Sequence, residues 1–151
     1  MKLVSVVVLP YRSADTIIET LESIKKQTYP KIELIVTDDG SPDNTVEVVE
    51  SWMRDNKGCL SDMKLVTTKK NTGLPSNINR GLQAATGMYY KGIAGDDYLT
   101  EDAIEKYVDF CEKNPGVFPI ARVHLFTEHD NNPSFPEIQA YCNRCYDFAQ
   151  K

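Results

Sequence analysis

Histidine and cysteine are scarce, with two of the first and four of the second among 151 residues. His124 and His129 are too few to build a metal or acid–base centre, and no Ser-His-Asp set accompanies them. Cys59, Cys111, Cys142 and Cys145 are too few and too scattered for a secreted disulfide scaffold, so a reducing, intracellular setting is expected. Long apolar runs are missing as well. Residues 3–9 fall far short of the ~20 that a membrane helix needs, and Pro10-Tyr11-Arg12 follow them in place of a small-residue cleavage site. There is no Walker loop, glycine-rich dinucleotide fingerprint, internal repeat or low-complexity tract. Basic charge is also short: Asp+Glu 22 against Lys+Arg 17 leaves −5, which argues against a nucleic-acid partner. A nucleoside diphosphate remains compatible if a metal cation bridges the two sets of negative charge.

What is present is a globular composition, 41% hydrophobic and 26% charged, in a length suited to one domain. Val4-Ser5-Val6-Val7-Val8-Leu9 is a nearly continuous apolar run, as expected of a strand covered on both faces. Ser13 is predicted to cap a helix with Ile17, Ile18, Leu21 and Ile24 on one stripe, ending near Tyr29-Pro30. Residues 32–37 make a second strand. Asn44 and Glu47 fit a capping box before a helix with Val46, Val49, Trp52 and Met53 inside. Residues 64–68 form a third strand, followed by a helix capped by Ser76 or Asn77 and ended by Gly87. Residues 88–94 form a fourth strand, in which Lys91 is awkward for a buried position. Thr100 is predicted to cap a helix with Ile104, Tyr107, Val108 and Cys111, and 117–126 to supply one or two more strands. Strand–helix alternation predicts an α/β fold with a mainly parallel central sheet and helices on both faces.

A last capped helix from Ser134, with Ile138, Tyr141, Cys142, Cys145 and Phe148 on one face, runs to Lys151 without a stop signal. The expectation is that it folds back on the sheet or that the natural protein continues. Cys142-Asn143-Arg144-Cys145 has zinc-like or redox-like spacing, but no second pair follows, and both cysteines fit the apolar stripe.

Two acidic doublets, Asp38-Asp39 and Asp96-Asp97, each follow a strand. Ligands of open parallel sheets bind beyond the carboxyl ends of the strands, so the doublets are expected to meet there. Each alone is equally well a turn or helix-start element. Magnesium or manganese commonly takes one or two carboxylates and completes its shell with substrate phosphates, which gives a doublet beside a diphosphate a purpose. Neighbouring extended residues point to opposite sides, so Asp97 is expected on the metal and Asp96 on the sugar or the loop.

Residues Ser5 to Tyr11, Glu33 to Ser41, Asn71-Thr72-Gly73 with Asn79-Arg80-Gly81-Leu82, and Gly95 to Leu99 resemble, in order, the signatures of family 2 glycosyltransferases over roughly the first two-thirds of the chain. The resemblance implies a GT-A, Rossmann-like fold, a UDP-sugar donor with Mg²⁺ or Mn²⁺, and inverting transfer to a glycan or lipid-linked acceptor. It implies that Pro10 and Tyr11 flank the donor, with Tyr11 against the base; the alternative for Tyr11 is plain core packing. Asp39 would accept the ring N–H of uracil, with Asp38 supporting that loop. Asn71, Gly73 and Asn79 would shape the pocket beside the diphosphate, Asp96 would face the sugar, and Asp97 would hold the metal. Residues 1–126 would be the donor-binding domain and 127–151 the helical start of an acceptor-side segment. The location implied is cytoplasmic, at most peripheral at the cytoplasmic face of a membrane.

Departures limit the resemblance. Ala94 stands where many relatives have a further Asp, Arg12 where many have Asn, and Ile78 where many have Arg; Arg80, Lys69 and Lys70 are the cations left to compensate. No recognisable general base is present, although an inverting transfer needs one. Glu128, Asp130, Glu137 and Asp147 are the later acids, none in a matching motif. Two other classes stay open: a non-catalytic nucleotide-binding module descended from a transferase, and a nucleotidyltransferase. The second lacks its basic glycine-rich loop after the first strand. A receiver domain is set aside because its acids belong elsewhere.

Overall fold

The computed structural model describes residues 1–116. Four strands, β1 (Val4–Leu9), β2 (Ile32–Asp38), β3 (Asp62–Thr67) and β4 (Tyr89–Ala94), alternate with α1 (Ile17–Lys25), α2 (Thr45–Asp55), α3 (Leu74–Ala84) and α4 (Ala103–Lys113). Every strand pair is parallel, in the order β3-β2-β1-β4. Val6 stands beside Leu34 of β2 and Lys91 of β4, and Val36 beside Leu65 of β3. The chain leaves β1 on one side to make β2 and β3, then crosses back to place β4 on the other side. The order therefore reverses between β1 and β4, which opens a crevice beyond their carboxyl ends.

Alternate residues of each strand face opposite sides. Val4, Val6, Val8, Leu34, Val36 and Ile93 join Ile17, Leu21 and Ile24 of α1, Val49 and Trp52 of α2, and Ile104 and Val108 of α4 in one core. Fully burying such an aliphatic side chain contributes about 1.5–3 kcal/mol, which explains why the central strands β1 and β2 carry so few polar residues. On the opposite face, α3 lies so close that a methyl at Gly81 would stand 2.5 Å from Val7 Cγ1.

Helix starts differ from those the sequence suggests. α1 begins at Ile17 after Thr16, and Ser13 contributes its carbonyl to the Thr16 and Ile17 amides while its hydroxyl accepts from the Tyr11 amide. Ile18 is exposed and Thr20 takes its place on the buried stripe; the helix stops at Lys25, leaving Tyr29 in the core. Asn44 makes no side-chain cap and no capping box with Glu47 forms; Asp43, one residue earlier, accepts the Thr45 amide and hydroxyl. The buried residues of α2 are Thr45, Val49 and Trp52, with Val48 packed beside them in place of Val46. α3 begins directly after Gly73, so Ser76 and Asn77 lie within its first turns, and Pro75 fits where no amide partner is needed. Gly87 lies beyond the end of α3 and packs on β1, its amide donating to Ser5 Oγ at 2.8 Å. α4 starts at Ala103, whose amide reaches the Thr100 carbonyl.

Glu33 is the main polar element of the sheet, 1% exposed near the start of β2. Its Oε1 accepts the Ser5 hydroxyl and the amides of Thr86 and Gly87 at 2.6 and 2.8 Å. Its Oε2 accepts Lys64 Nζ at 3.1 Å and the Thr86 hydroxyl at 2.9 Å. Burial opposes ionisation, but these donors outweigh it and lower the carboxyl to about 2. The cluster ties β1, β2, β3 and the α3–β4 connection together at the end of the sheet away from the crevice.

Among the described residues no helix is long and apolar enough to cross a membrane. The predicted strands in 117–126, the helix from Ser134, the Cys142/Cys145 pair, both histidines, the late acids and the division after residue 126 lie outside the described residues.

Candidate functional site

The loops that leave β1, β2 and β4 are tied together, and the ties are largely backbone. Gly95 sits against the turn after β1: a methyl there would be 2.8 Å from Pro10 Cβ, 2.9 Å from Pro10 Cα and 2.9 Å from Ser13 Oγ. The Thr16 hydroxyl donates to the Gly95 carbonyl at 3.0 Å. Pro10 is thus buried where the β1 and β4 turns meet. Gly95→Ala is expected to cost about 1–3 kcal/mol by overpacking, read from urea unfolding, and to weaken any ligand held between these turns. The Arg12 amide donates to Ser41 Oγ at 3.0 Å and the Ser13 amide to Thr45 Oγ1 at 2.9 Å, which joins the β1 and β2 turns. Arg12 adopts φ 56 to make this turn, and its guanidinium carbon stands 5.5 Å from the Tyr11 ring centroid. Tyr11 is 43% exposed, so it is not core.

Asp38 and Asp39 are both buried and do different work. Asp38 Oδ1 accepts the Gly40 and Ser41 amides at 2.9 and 2.8 Å, and Oδ2 accepts the Ser41 hydroxyl. It shapes the turn. Gly40, at φ 75, lets the turn touch the β3–α3 loop, where a side chain would meet the Lys70 carbonyl carbon at 2.8 Å. Asp39 reaches across to that loop. Its Oδ2 accepts the Thr72 and Gly73 amides at 2.9 and 2.7 Å, and its Oδ1 accepts the Thr72 hydroxyl at 2.8 Å and Arg80 Nη2. Burial acts against the charge, yet the donors on Thr72, Arg80 and Gly73 hold the Asp39 carboxyl below its ordinary range.

Asn71 is exposed and its Oδ1 accepts the Gly73 amide at 3.0 Å. Asn79 is exposed on α3 and takes no part in the Asp39 network, whereas Asn77 and Arg80, three residues apart, do face the sheet. Asn77 Nδ2 donates to the Thr37 carbonyl at 2.8 Å, and its Oδ1 accepts Arg80 Nη2 at 3.1 Å. Thr37 was not expected here, Thr72 was expected only as part of the Asn71-Thr72-Gly73 motif, and Asn77 only as a helix cap. The signal available was the three-residue spacing from Asn77 to Arg80 next to a glycine that packs on β1.

Asp96 and Asp97 are both exposed at the end of β4. Partial loss of water around its carboxyl pushes Asp97 up, the adjacent Asp96 charge adds to this, and Lys91 opposes it. Lys91 is itself lowered by burial, with Asp97 acting in the other direction. Among the described residues no group of three or more His, Cys, Asp or Glu is placed to hold a metal ion. Two adjacent carboxylates, one of them disfavoured as an anion, fit a divalent cation whose remaining ligands come from a bound phosphate.

Residues 5–145 match the family Glycosyl transferase family 2. The chain is 32% identical over 153 aligned residues to UDP-Glc:alpha-D-GlcNAc-diphosphoundecaprenol beta-1,3-glucosyltransferase WfaP of Escherichia coli, covering 95% of this chain and 58% of that protein. Among solved structures, the mannosyltransferase PcManGT from Pyrobaculum calidifontis, in complex with GDP-Man and Mn²⁺, superposes with a TM-score of 0.71 at 29% identity over 77% of this chain and 34% of that one. S. aureus TarS 1-349 in complex with UDP-GlcNAc gives 0.66 at 26% identity over 80% and 37%. The chain spans between 24% and 58% of the length of the curated relatives it matches. With its parallel sheet and converging turns, the chain has a GT-A-like fold and belongs to glycosyl transferase family 2.

Proposed function

We propose that residues 1–126 form the donor-binding part of an inverting glycosyltransferase that takes a UDP-sugar and Mg²⁺ or Mn²⁺, with 127–151 beginning the acceptor side. What supports this reading is that Tyr11, Asp39 and Asp97 follow the carboxyl ends of β1, β2 and β4 in a parallel sheet, with Tyr11 and Asp97 exposed and Asp39 buried. Tyr11 offers a ring face for the base, worth about 1–3 kcal/mol where bases stack on aromatics elsewhere. Asp39 takes the base N–H, and Asp38 holds the turn that carries it. Gly73, Asn71 and Asn79 line the diphosphate side, Asp96 faces the sugar, and Asp97 binds the metal. A bound divalent cation supplies positive charge to the departing diphosphate. The acceptor is a glycan or a lipid-linked glycan, which suits polysaccharide biosynthesis at the cytoplasmic face of a membrane. WfaP, whose name gives a UDP-Glc donor and a diphosphoundecaprenol acceptor, and TarS with UDP-GlcNAc support the choice of UDP; PcManGT with Mn²⁺ supports the metal.

The test is calorimetric titration with UDP, with and without Mn²⁺, using GDP and ADP as controls. Selective, manganese-strengthened binding of UDP is expected. In Asp97→Asn the strengthening by Mn²⁺ should fall by about 10–100-fold, the scale on which even supporting partners of metal ligands act. A folded chain that binds none of the three nucleotides, or an Asp97→Asn variant that responds fully to Mn²⁺, would overturn the reading.

A further inference from the structure

Polar residues recur along one face of α1, beside its apolar core stripe. Thr16, Thr20 and Ser23 follow one another at four- and three-residue steps, the spacing that sets side chains above one another on a helix, and Gln27 continues it just past the helix end. Three of the four are bonded to the segment that follows β4. The Thr16 hydroxyl donates to the Gly95 carbonyl at 3.0 Å. The Ser23 hydroxyl donates to the Thr20 carbonyl at 2.7 Å and accepts the Leu99 amide at 3.1 Å. Gln27 donates to the Thr100 carbonyl at 2.8 Å and accepts the Ile104 amide at 2.9 Å. Thr20 is the exception: it is 1% exposed, and its hydroxyl has no hydrogen-bond partner among the described residues.

Asp96, Asp97 and Tyr98 are exposed between the first two of these ties, with Gly95 buried at one end and Leu99 half-buried at the other. No hydrogen bond from a described residue aims the Asp97 carboxylate, which feels only partial burial and the charges of Asp96 and Lys91. Ala94 supplies no further carboxylate, and no group of three acids assembles among the described residues. What fixes the doublet is therefore its backbone, anchored at both ends to a helix whose Ile17, Leu21 and Ile24 are locked in the core. We infer that Thr16 and Ser23 are positioning residues for the divalent cation: their hydroxyls bracket Asp96-Asp97 and set the direction in which Asp97 is presented to the metal. The inference rests on the donor-site reading above. The two hydroxyls stand two helical turns apart, about 10 Å along the axis, so they grip the segment at its first and last member and leave the acids between them unburied. A ligand group on a chain held at both ends loses little freedom when it binds, whereas one on a loosened loop must be ordered at that moment and binds more weakly.

The experiment uses the full 151-residue chain and measures UDP affinity with and without Mn²⁺ in the wild type, Thr16→Val, Thr16→Ser, Ser23→Ala, the double variant Thr16→Val with Ser23→Ala, and Thr20→Val. In the double variant the strengthening of UDP binding by Mn²⁺ should fall by about 10–100-fold, the scale on which residues that support metal ligands act, while affinity for UDP alone stays unchanged. Each single variant should lose part of the strengthening, and Thr16→Ser, which keeps the hydroxyl, should match the wild type. Thr20→Val alters the same face but removes a hydroxyl that bonds no described residue, so its response to Mn²⁺ should be that of the wild type and its stability no lower. Undiminished strengthening in the double variant, a loss of UDP affinity equal with and without Mn²⁺, or Thr16→Ser behaving as Thr16→Val would overturn the inference while leaving the donor site standing. A wild type that binds UDP but gains nothing from Mn²⁺ would instead remove the metal from the donor-site reading, and the inference with it. If the double variant does not fold, amide exchange in the wild type decides: the Leu99 amide should slow when UDP and Mn²⁺ are added together and stay unchanged with UDP alone, and any other pattern overturns the inference.

Discussion

Glu33→Ala is expected to destabilise the protein by about 3–5 kcal/mol, since it strips several donors of a buried acceptor at about 1–3 kcal/mol for each one left unsatisfied. The substitution removes the acceptor of the Thr86 amide and of the Ser5 hydroxyl, and one partner each of the Gly87 amide and Lys64, where four segments of chain converge. Urea unfolding followed by circular dichroism measures it; a loss below about 1 kcal/mol would mean that water replaces the carboxylate, contrary to its burial. The same group sets the acid limb of stability. Its carboxyl stands at about 2 in the folded protein against an ordinary 4.5, which corresponds to roughly 3 kcal/mol. Because the folded value is depressed, that contribution is complete above the unfolded carboxyl's range and drains away as pH falls from about 4.5 toward 2. Glu33→Gln should therefore be less stable than wild type at neutral pH and show a flatter decline across that interval.

Asp39→Ala should abolish measurable UDP binding, a loss of at least about 100-fold, since it removes the charged acceptor proposed to take the base N–H. Its effect on stability should be smaller than that of Glu33→Ala, because the donors it frees lie on a loop at the mouth of the crevice where water reaches them. Asp39→Asn keeps the shape but turns one acceptor into a donor, and should recover stability without recovering affinity. Calorimetry with UDP and a thermal melt on each variant separate the two effects. Retained UDP affinity in the alanine variant would place base recognition elsewhere.

The strand and helix alternation was legible because β1 and β2 are buried on both faces and read as apolar runs. The doublets were expected to meet beyond the strand ends, and the β3-β2-β1-β4 order sets their strands, β2 and β4, on either side of β1. Helix starts were not. Ser13, Asn44 and Ser76 are good caps by type, but the turns that join the loops claimed Ser13, Asp43 displaced Asn44, and Gly73 started α3 three residues before the cap expected at Ser76. The Glu33 cluster was invisible because its partners come from separate elements, and a lone Glu inside a strand does not announce them. The double nature of the first doublet was half visible: Asp38 as a turn residue and Asp39 as an acceptor were both expected, but the claim of Arg80 on Asp39 comes from 41 residues further along the chain.

The contacts at Gly40 and Gly95 divide the crevice into a part that can be rebuilt and a part that cannot. At Gly40 the neighbour is main chain, and at Gly95 it is Pro10 with the Ser13 hydroxyl, so the spacing of the turns is set largely by backbone thickness. The exposed residues proposed to face a ligand, Tyr11, Asp96 and Asp97, stand on that frame without holding it up. A library aimed at a new donor should randomise the second set and leave the two glycines alone; its members would differ in what they bind while melting at nearly the same temperature.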